Sequence, residues 1–327
     1  MRALLCKELG SIGGLTVEEM PSPRPGPGEV VLDVKASSLN FPDALMVQGL
    51  YQVKPPLPFS PGMEVAGVVK ELGAGVANVK VGDSVIAAPG HGGFAEECLA
   101  RADALTPLPE GMALDTAAAF VLTYCTSLHA LEACGRLKSG ETLLVLGAAG
   151  GVGTAAIEIG KAMGARVIAA ASSDDKLALC KVLGADETIN YTTEDLQKRT
   201  LALTGGNGAD VVYDPVGGNF TESALRATAW RGRFLIIGFA SGEIPKLKAN
   251  LILLKERSVV GVYWGDAVKR DPAGHRRDLQ TLSDWFKSKR INPVISERVS
   301  LAQTPAAMQR LTARQIKGKV VVLPEKQ

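Results

Sequence analysis

The sequence is poor in the residues that build metal and nucleophile sites. Its three histidines, His91, His129 and His275, are scattered over 327 residues with no partner ligands at metal spacing. The five cysteines (Cys6, Cys98, Cys125, Cys134, Cys180) contain no C-x-x-C pair. Neither a disulfide framework nor a structural zinc lobe is therefore expected, and free thiols of this kind suit a reducing cytoplasm. A dominant charge is missing too: 36 Lys+Arg against 34 Asp+Glu leave a net +2. Pairs such as Arg276-Arg277 read as solvated surface, so no nucleic-acid partner is expected. No apolar run approaches the roughly 18 residues of a membrane span. The start, MRALLCKELG, is too charged and too briefly apolar for a signal peptide.

What the chain does have is length for two cores and a change of pattern partway along. Up to about residue 110, short Val-rich runs (EVVLDVKA, VAGVVKEL, DSVIAA) alternate with glycine and proline turns, which predicts a β-rich domain. TAAAFVLTYCTSLHALEAC (116–134) is rich in helix formers and predicts a helix with a break near Thr123–Thr126. Strand candidates LLVLG (143–147), RVIAAAS (166–172), ETIN (187–190), DVVYDPV (210–216), RFLIIGF (233–239) and RSVVGVYW (257–264) follow, the early ones separated by helical stretches. That alternation predicts a doubly wound parallel sheet covered on both faces. The segment 275–291 reads as an amphipathic helix, and the last strands, near 293–295 and KVVVLP, are expected to complete the first domain.

The segment LLVLGAAGGVG (143–153) is an apolar strand that breaks into glycine and alanine before a helix. In that setting the backbone N–H groups of Ala149, Gly150, Gly151, Val152 and Gly153 can meet a pyrophosphate at a helix N-terminus. The pattern is Ala148-x-Gly150-x-x-Gly153, with alanine in place of the usual first glycine. An NAD-binding chain carries an acid about twenty residues further on, at the end of the second strand. Here that end reads AAASSDDK, with Ala171 at the acid's place and Ser172, Ser173 and Lys176 following. Small hydroxyls and a cation suit a 2′-phosphate, and so NADPH. The alternative is that Ser173 or Asp174 caps the next helix.

With these features in place, the chain resembles the zinc-free NADPH:quinone oxidoreductase (zeta-crystallin-like) branch of the medium-chain dehydrogenase/reductase superfamily. The stretches that carry the resemblance run from end to end: NFPDALMVQGLY (40–51), PFSPGMEVAGVV (58–69), VKVGDSV (79–85), GAAGGVGTAA (147–156), KVLGADETINY (181–191), DVVYDPVGG (210–218), GRFLIIGFASG (232–242) and KGKVVVL (317–323). The resemblance implies an α/β fold with a GroES-like β-rich catalytic domain, here 1–120 and 265–327, plus a Rossmann domain, 121–264. Zinc-dependent members place a cysteine and a histidine where this chain has Asn40 and Met63. Zinc is not expected, since an amide and a thioether are poor ligands for it. Glu64 is expected to hold nearby backbone or a positive side chain.

The resemblance also assigns site residues. Asn40, Asp43 and Tyr51 belong near nicotinamide and substrate, with Asn40 orienting the acceptor oxygen and Tyr51 stacking or donating its phenol proton. Asp43 has the equal alternative of bracing its segment. Thr126 faces the nicotinamide amide, Tyr191 stands near the adenosine phosphate, Gly238, Phe239 and Ser241 line the nicotinamide ribose, and Lys317 closes over the cofactor. A packing role is the alternative for Phe239. Related chains often carry a tyrosine two positions past the aspartate, where Leu45 stands here. The expected reaction is metal-free hydride transfer to a quinone or α,β-unsaturated carbonyl. An enoyl-thioester reductase, or a protein that binds NADPH without turnover, is the alternative. A homodimer through the apolar last Rossmann strand is expected.

Overall fold

The computed structural model describes residues 1–325. Its strands in chain order begin with β1 (Arg2–Leu5), β2 (Thr16–Glu19), β3 (Glu29–Ser38), β4 (Val65–Leu72), β5 (Ser84–Ala87), β6 (Glu97–Arg101) and β7 (Thr106–Pro107). Then come β8 (Thr142–Val145), β9 (Arg166–Ala171), β10 (Glu187–Asn190), β11 (Ala209–Asp214), β12 (Thr228–Ile236) and β13 (Ser258–Gly261), and finally β14 (Ile295–Val299) and β15 (Lys319–Val322). These elements form two compact units: Met1–Leu122 with the segment from Val294 onward, and Thr123–Pro293.

The first unit is built around β3, which pairs antiparallel with β4, β6 and β15. The sheet runs β14-β15-β3-β4-β5-β7. Because side chains alternate along a strand, Val30, Leu32 and Val34 enter one core with Val65, Val69, Val85 and Cys98. A second core gathers Leu39, Phe59 and Phe94 with Ala44, Met46 and Val47 of the helix Phe41–Val47. Met308 and β15's Val320 and Val322 complete it. Each buried Val, Leu, Phe or Met side chain among these contributes about 1.5–3 kcal/mol. Pro42 stands in the first turn of its helix, where its missing N–H costs nothing.

The second unit holds six parallel strands in the order β10-β9-β8-β11-β12-β13. β8, β9 and β11 are buried almost throughout, as strands with helices on both faces must be. Chain order reverses between β8 and β11. In open α/β sheets the carboxyl ends of strands at such a point form the ligand crevice.

Two features differ from the sequence reading. The helical run has its break at 118–120 rather than at Thr123–Thr126, and from Val121 to Cys134 it is largely π-helical. Gly135 N–H, for example, reaches the Ala130 carbonyl five residues back. No local breaker announces this geometry, which is common at functional sites. The chain also rejoins the first unit at Val294, not at 265. The helix Pro272–Lys287 buries Leu282, and the following residues are tied to the helix Gly151–Ala162. Asn292 N–H donates to Glu158 at 2.9 Å, and the Arg290 guanidinium donates to the Ala162 carbonyl. Those bonds tie 290–292 to the Rossmann unit, which the chain leaves only after Pro293.

Candidate functional site

In the first unit the chemistry-bearing residues form a closed polar cluster at the junction of β3, the helix Phe41–Val47, the start of β4 and β15. Glu64 is fully buried and Lys319 is only 5% exposed, so each charge must be answered internally. Glu64 accepts from the Ser38 hydroxyl, and from the Leu122 N–H at 2.9 Å. Lys319 Nζ stands 3.4 Å from the same carboxylate, donates to Asn40 Oδ1, and reaches the Leu39 carbonyl at 3.1 Å. Burial pushes the Lys319 ammonium below its ordinary pKa, while Glu64 and Asp43 pull it back up.

Asn40 is held on both ends. Its Nδ2 lies 3.1 Å from the Ser38 carbonyl, 3.2 Å from Ser38 Oγ and 3.1 Å from Glu64 Oε1. An amide has two hydrogens to donate, and both are taken up inside the cluster. The expected use of Asn40 as a donor to an acceptor oxygen is therefore not available to this rotamer. Asp43 is a brace. One carboxylate oxygen accepts from Asn40 N–H at 2.8 Å and the other from Gly62 N–H at 3.0 Å. Burial raises its pKa to about 7 against those two hydrogen bonds and the Lys319 charge. Tyr51 follows that helix, half-buried against the core that contains Met46 and Phe59, and Met63 packs on the same core.

In the second unit, the turn after β8 has the shape a dinucleotide needs. Gly147 takes the left-handed conformation (φ +54°), so the residue before Ala148 performs the tight turn that the alanine cannot. A Cβ on Gly153 would stand 2.5 Å from the Gly147 carbonyl oxygen, so only glycine lets the helix start this close to the strand. The Gly150 N–H, expected at the pyrophosphate, instead donates to that same oxygen at 2.9 Å, and a Cβ there would crowd it at 3.3 Å. The helix Gly151–Ala162 is capped by the Gly150 backbone, and its first amides, at Gly151, Val152 and Gly153, are the unsatisfied donors of a helix start. Ala149 is buried behind them.

At the end of β9 three expectations come together. Lys176 Nζ donates to Ser172 Oγ at 2.9 Å, and Ser173 caps the helix Asp174–Val182. Asp174 accepts from Asn190 Nδ2 at 2.7 Å, so that carboxylate is turned to β10. Ser173 thus takes the capping role, while Ser172 and Lys176 form a hydroxyl–ammonium pair. Tyr191 stacks obliquely on Phe220, ring centroids 4.3 Å apart. Gly238, Phe239 and Ser241 are half-buried in the loop beyond β12, which ends at Ile236 rather than at Phe239. That loop lies on the end of β11, where Ala240 and Ser241 N–H groups reach the Pro215 and Val216 carbonyls at 3.0 and 2.8 Å.

Several contributors had no signal in the sequence. Asp214 is buried and accepts from the Val216 and Gly217 amides and the Thr221 hydroxyl, fixing the end of β11. Ser127 donates to the Val152 carbonyl at 3.0 Å and meets the Tyr213 hydroxyl at 2.9 Å. Its neighbour Thr126, assigned to the nicotinamide, is half-buried on the same helical segment. Lys319 lay hidden in KGKVVVL, where the resemblance picked Lys317, a half-buried residue of the preceding turn.

The remaining polar candidates are structural. His91 sits edge-on to Phe59 and His275 to Trp264, and burial lowers the pKa of both. Burial lifts the Cys98 and Cys180 thiols to about 12, far from a reactive thiolate. Among the described residues no group of three His, Cys, Asp or Glu side chains stands close enough to hold a metal ion.

Comparison with known proteins accords with both halves. Residues 26–110 match the family model of the alcohol dehydrogenase GroES-like domain, and residues 151–288 that of zinc-binding dehydrogenases. Quinone oxidoreductase-like protein 2 of Bos taurus is 41% identical over 323 residues, covering 98% of this chain and 92% of the bovine protein. Escherichia coli quinone oxidoreductase, solved with NADPH, superposes with a TM-score of 0.93 at 28% identity, covering 99% of this chain and all of that one. The CurK enoyl reductase superposes with a TM-score of 0.89 at 26% identity over 98% of both chains.

Proposed function

The chain belongs to the quinone oxidoreductase branch of the medium-chain dehydrogenase/reductase superfamily, and on that premise we propose that it is an NADPH-dependent, metal-free reductase of quinones or α,β-unsaturated carbonyls. The observation that carries the metal-free reading is the polar cluster of the first unit. Asn40 is spent on Ser38, Glu64 and Lys319, and Met63 packs into a core. A site so occupied offers no ligand set to a Lewis acid.

NADPH supplies the hydride when bound; the residues hold and orient it. The amides of Gly151, Val152 and Gly153 receive the pyrophosphate. The Ser172–Lys176 pair receives the 2′-phosphate, with Asp174 drawn off by Asn190. Thr126, Tyr191, Gly238, Phe239, Ser241 and Lys317 are assigned to the rest of the dinucleotide. A conjugated carbonyl needs no metal, because hydrogen-bond donors meet the oxyanion formed on reduction. With Asn40 committed, the Tyr51 hydroxyl or water takes that role. Asp43 and Lys319 hold the segment in place. A homodimer through β13 and a cytoplasmic location belong to the same reading.

The likeness to an enoyl reductase favours a second reading, in which the double bond of an enoyl thioester is reduced. One assay separates them: NADPH oxidation by chelator-treated protein with a simple quinone, an enone and an enoyl thioester, with NADH as the matched control. Turnover of the quinone or enone with NADPH supports the first reading. Turnover of the thioester alone transfers the case to the second, and NADPH binding without any turnover defeats both.

A further inference from the structure

One buried carboxylate stands outside everything assigned so far. Glu158, on the third turn of the cofactor helix Gly151–Ala162, is 8% exposed. It has two partners from distant parts of the chain. Tyr124, buried in the π-helical segment, donates its hydroxyl to one oxygen, and the Asn292 N–H donates to the other at 2.9 Å. These partners are not arbitrary. The chain leaves the first unit at Leu122/Thr123 and re-enters it at Pro293/Val294. Each crossing is thus within two residues of a bond to the same carboxylate.

We propose that Glu158 is a positioning residue that ties both chain crossings to the cofactor helix, and that it serves the reduction step rather than dinucleotide affinity. The proposal rests on the reductase reading. The dinucleotide turn has supports of its own: Ser127 on the Val152 carbonyl, Thr154 Oγ on the Gly151 carbonyl at 2.9 Å, and the close approach at Gly153. Glu158 lies beyond these, about 7 Å along the helix from Gly153 at 1.5 Å per residue. Removing its bonds leaves the turn's own contacts intact. What it releases is Tyr124, two residues before Thr126, and Asn292, two before Val294, where the chain re-enters the unit that holds Lys319. These crossings are the covalent route from the unit with the dinucleotide turn to the unit with Tyr51. The charged groups nearest along the helix and its partner segment are engaged elsewhere: Lys161 on Asp186 at 2.8 Å and Arg290 on the Ala162 carbonyl.

The test compares Glu158→Gln and the milder Tyr124→Phe with the unaltered protein. Three quantities are read: amide exchange at 122–126 and 290–294, the Kd for NADPH, and the single-turnover rate of quinone reduction. The expected result is exchange at those amides faster by about tenfold, a Kd within about twofold of the starting value, and a reduction rate lower by about tenfold. Unchanged exchange in either folded variant overturns the tether. A Kd that weakens by the same factor as the rate overturns the claim about the step, since Glu158 would then serve the turn. Should the unaltered protein bind NADPH and reduce no acceptor, the reductase reading fails by itself, and exchange with and without NADPH still decides the tether.

Discussion

The two units solve opposite problems at their chemistry-bearing residues. The dinucleotide turn works by leaving groups unsatisfied: the first amides of its helix, at Gly151, Val152 and Gly153, are the open donors of a helix start. The cluster around Glu64 and Lys319 works by leaving nothing open. Every charge and amide there is answered by another buried group, down to both ends of Asn40. The first arrangement is cheap to fold and specific for a ligand. The second is costly to desolvate and specific for itself.

The largest break in this contrast is expected from Lys319→Met. It strands the Glu64 carboxylate and the Asn40 carbonyl in a dry site, at a cost of about 3–5 kcal/mol. Thermal unfolding should show it, and adding Glu64→Gln should return part of the loss. A single variant as stable as the starting protein would mean the cluster is not a closed ionic unit. Next comes pH. Burial raises Glu158 from 4.5, and Asp43 from 3.8, to about 7, so the folded chain holds protons that the unfolded chain releases. Each group's contribution is complete below the unfolded value and is lost as pH rises toward 7. Glu158→Gln should therefore flatten the fall in stability between about pH 4.5 and 7, by an amount on the order of 3 kcal/mol. Unfolding curves at four or five pH values check the slope, and parallel curves for the two proteins refute it.

Smaller effects sharpen the other half. Gly153→Ala drives a methyl group against the Gly147 carbonyl and should cost about 1–3 kcal/mol of stability together with at least tenfold in NADPH affinity. Titration calorimetry and unfolding measure both. Lys176→Ala should weaken NADPH by about tenfold while sparing NADH, as loss of one charge-assisted contact to the 2′-phosphate requires. Equal losses for the two dinucleotides would remove Lys176 from the phosphate site. The smallest change is expected from Tyr51→Phe, a drop of a few-fold in kcat. Water takes over the donation in that variant, and a solvent isotope effect that persists would show it.

How much of this was legible beforehand depended on the range of the interactions. The β8–turn–helix unit could be read because its requirements are local: an apolar strand, a left-handed glycine and a close approach all fall within eleven residues. Gly147, one residue before the alanine of that pattern, carries the left-handed turn. At the end of β9 the residue types were informative, but both readings of AAASSDDK survived until Ser173 proved to be the cap and Ser172 the partner of Lys176. The Asn40 amide hydrogens are committed to Ser38 and Glu64 and its carbonyl to Lys319, a residue 279 positions away. Nothing in KGKVVVL distinguishes a buried lysine from a solvated one.

The sequence by itself therefore determined what short stretches of backbone can adopt: the alternating elements, the glycine turn and the polar end of β9. The tertiary structure decided which buried charges meet. It brought Lys319 to Glu64 and Asn40, Tyr124 and Asn292 to Glu158, and the chain back into its first unit at Val294 rather than at 265. The physical reason is that a backbone preference is set by immediate neighbours. A buried charge is tolerated only where distant segments supply its partners, and a pattern of residues in one segment carries no record of the other.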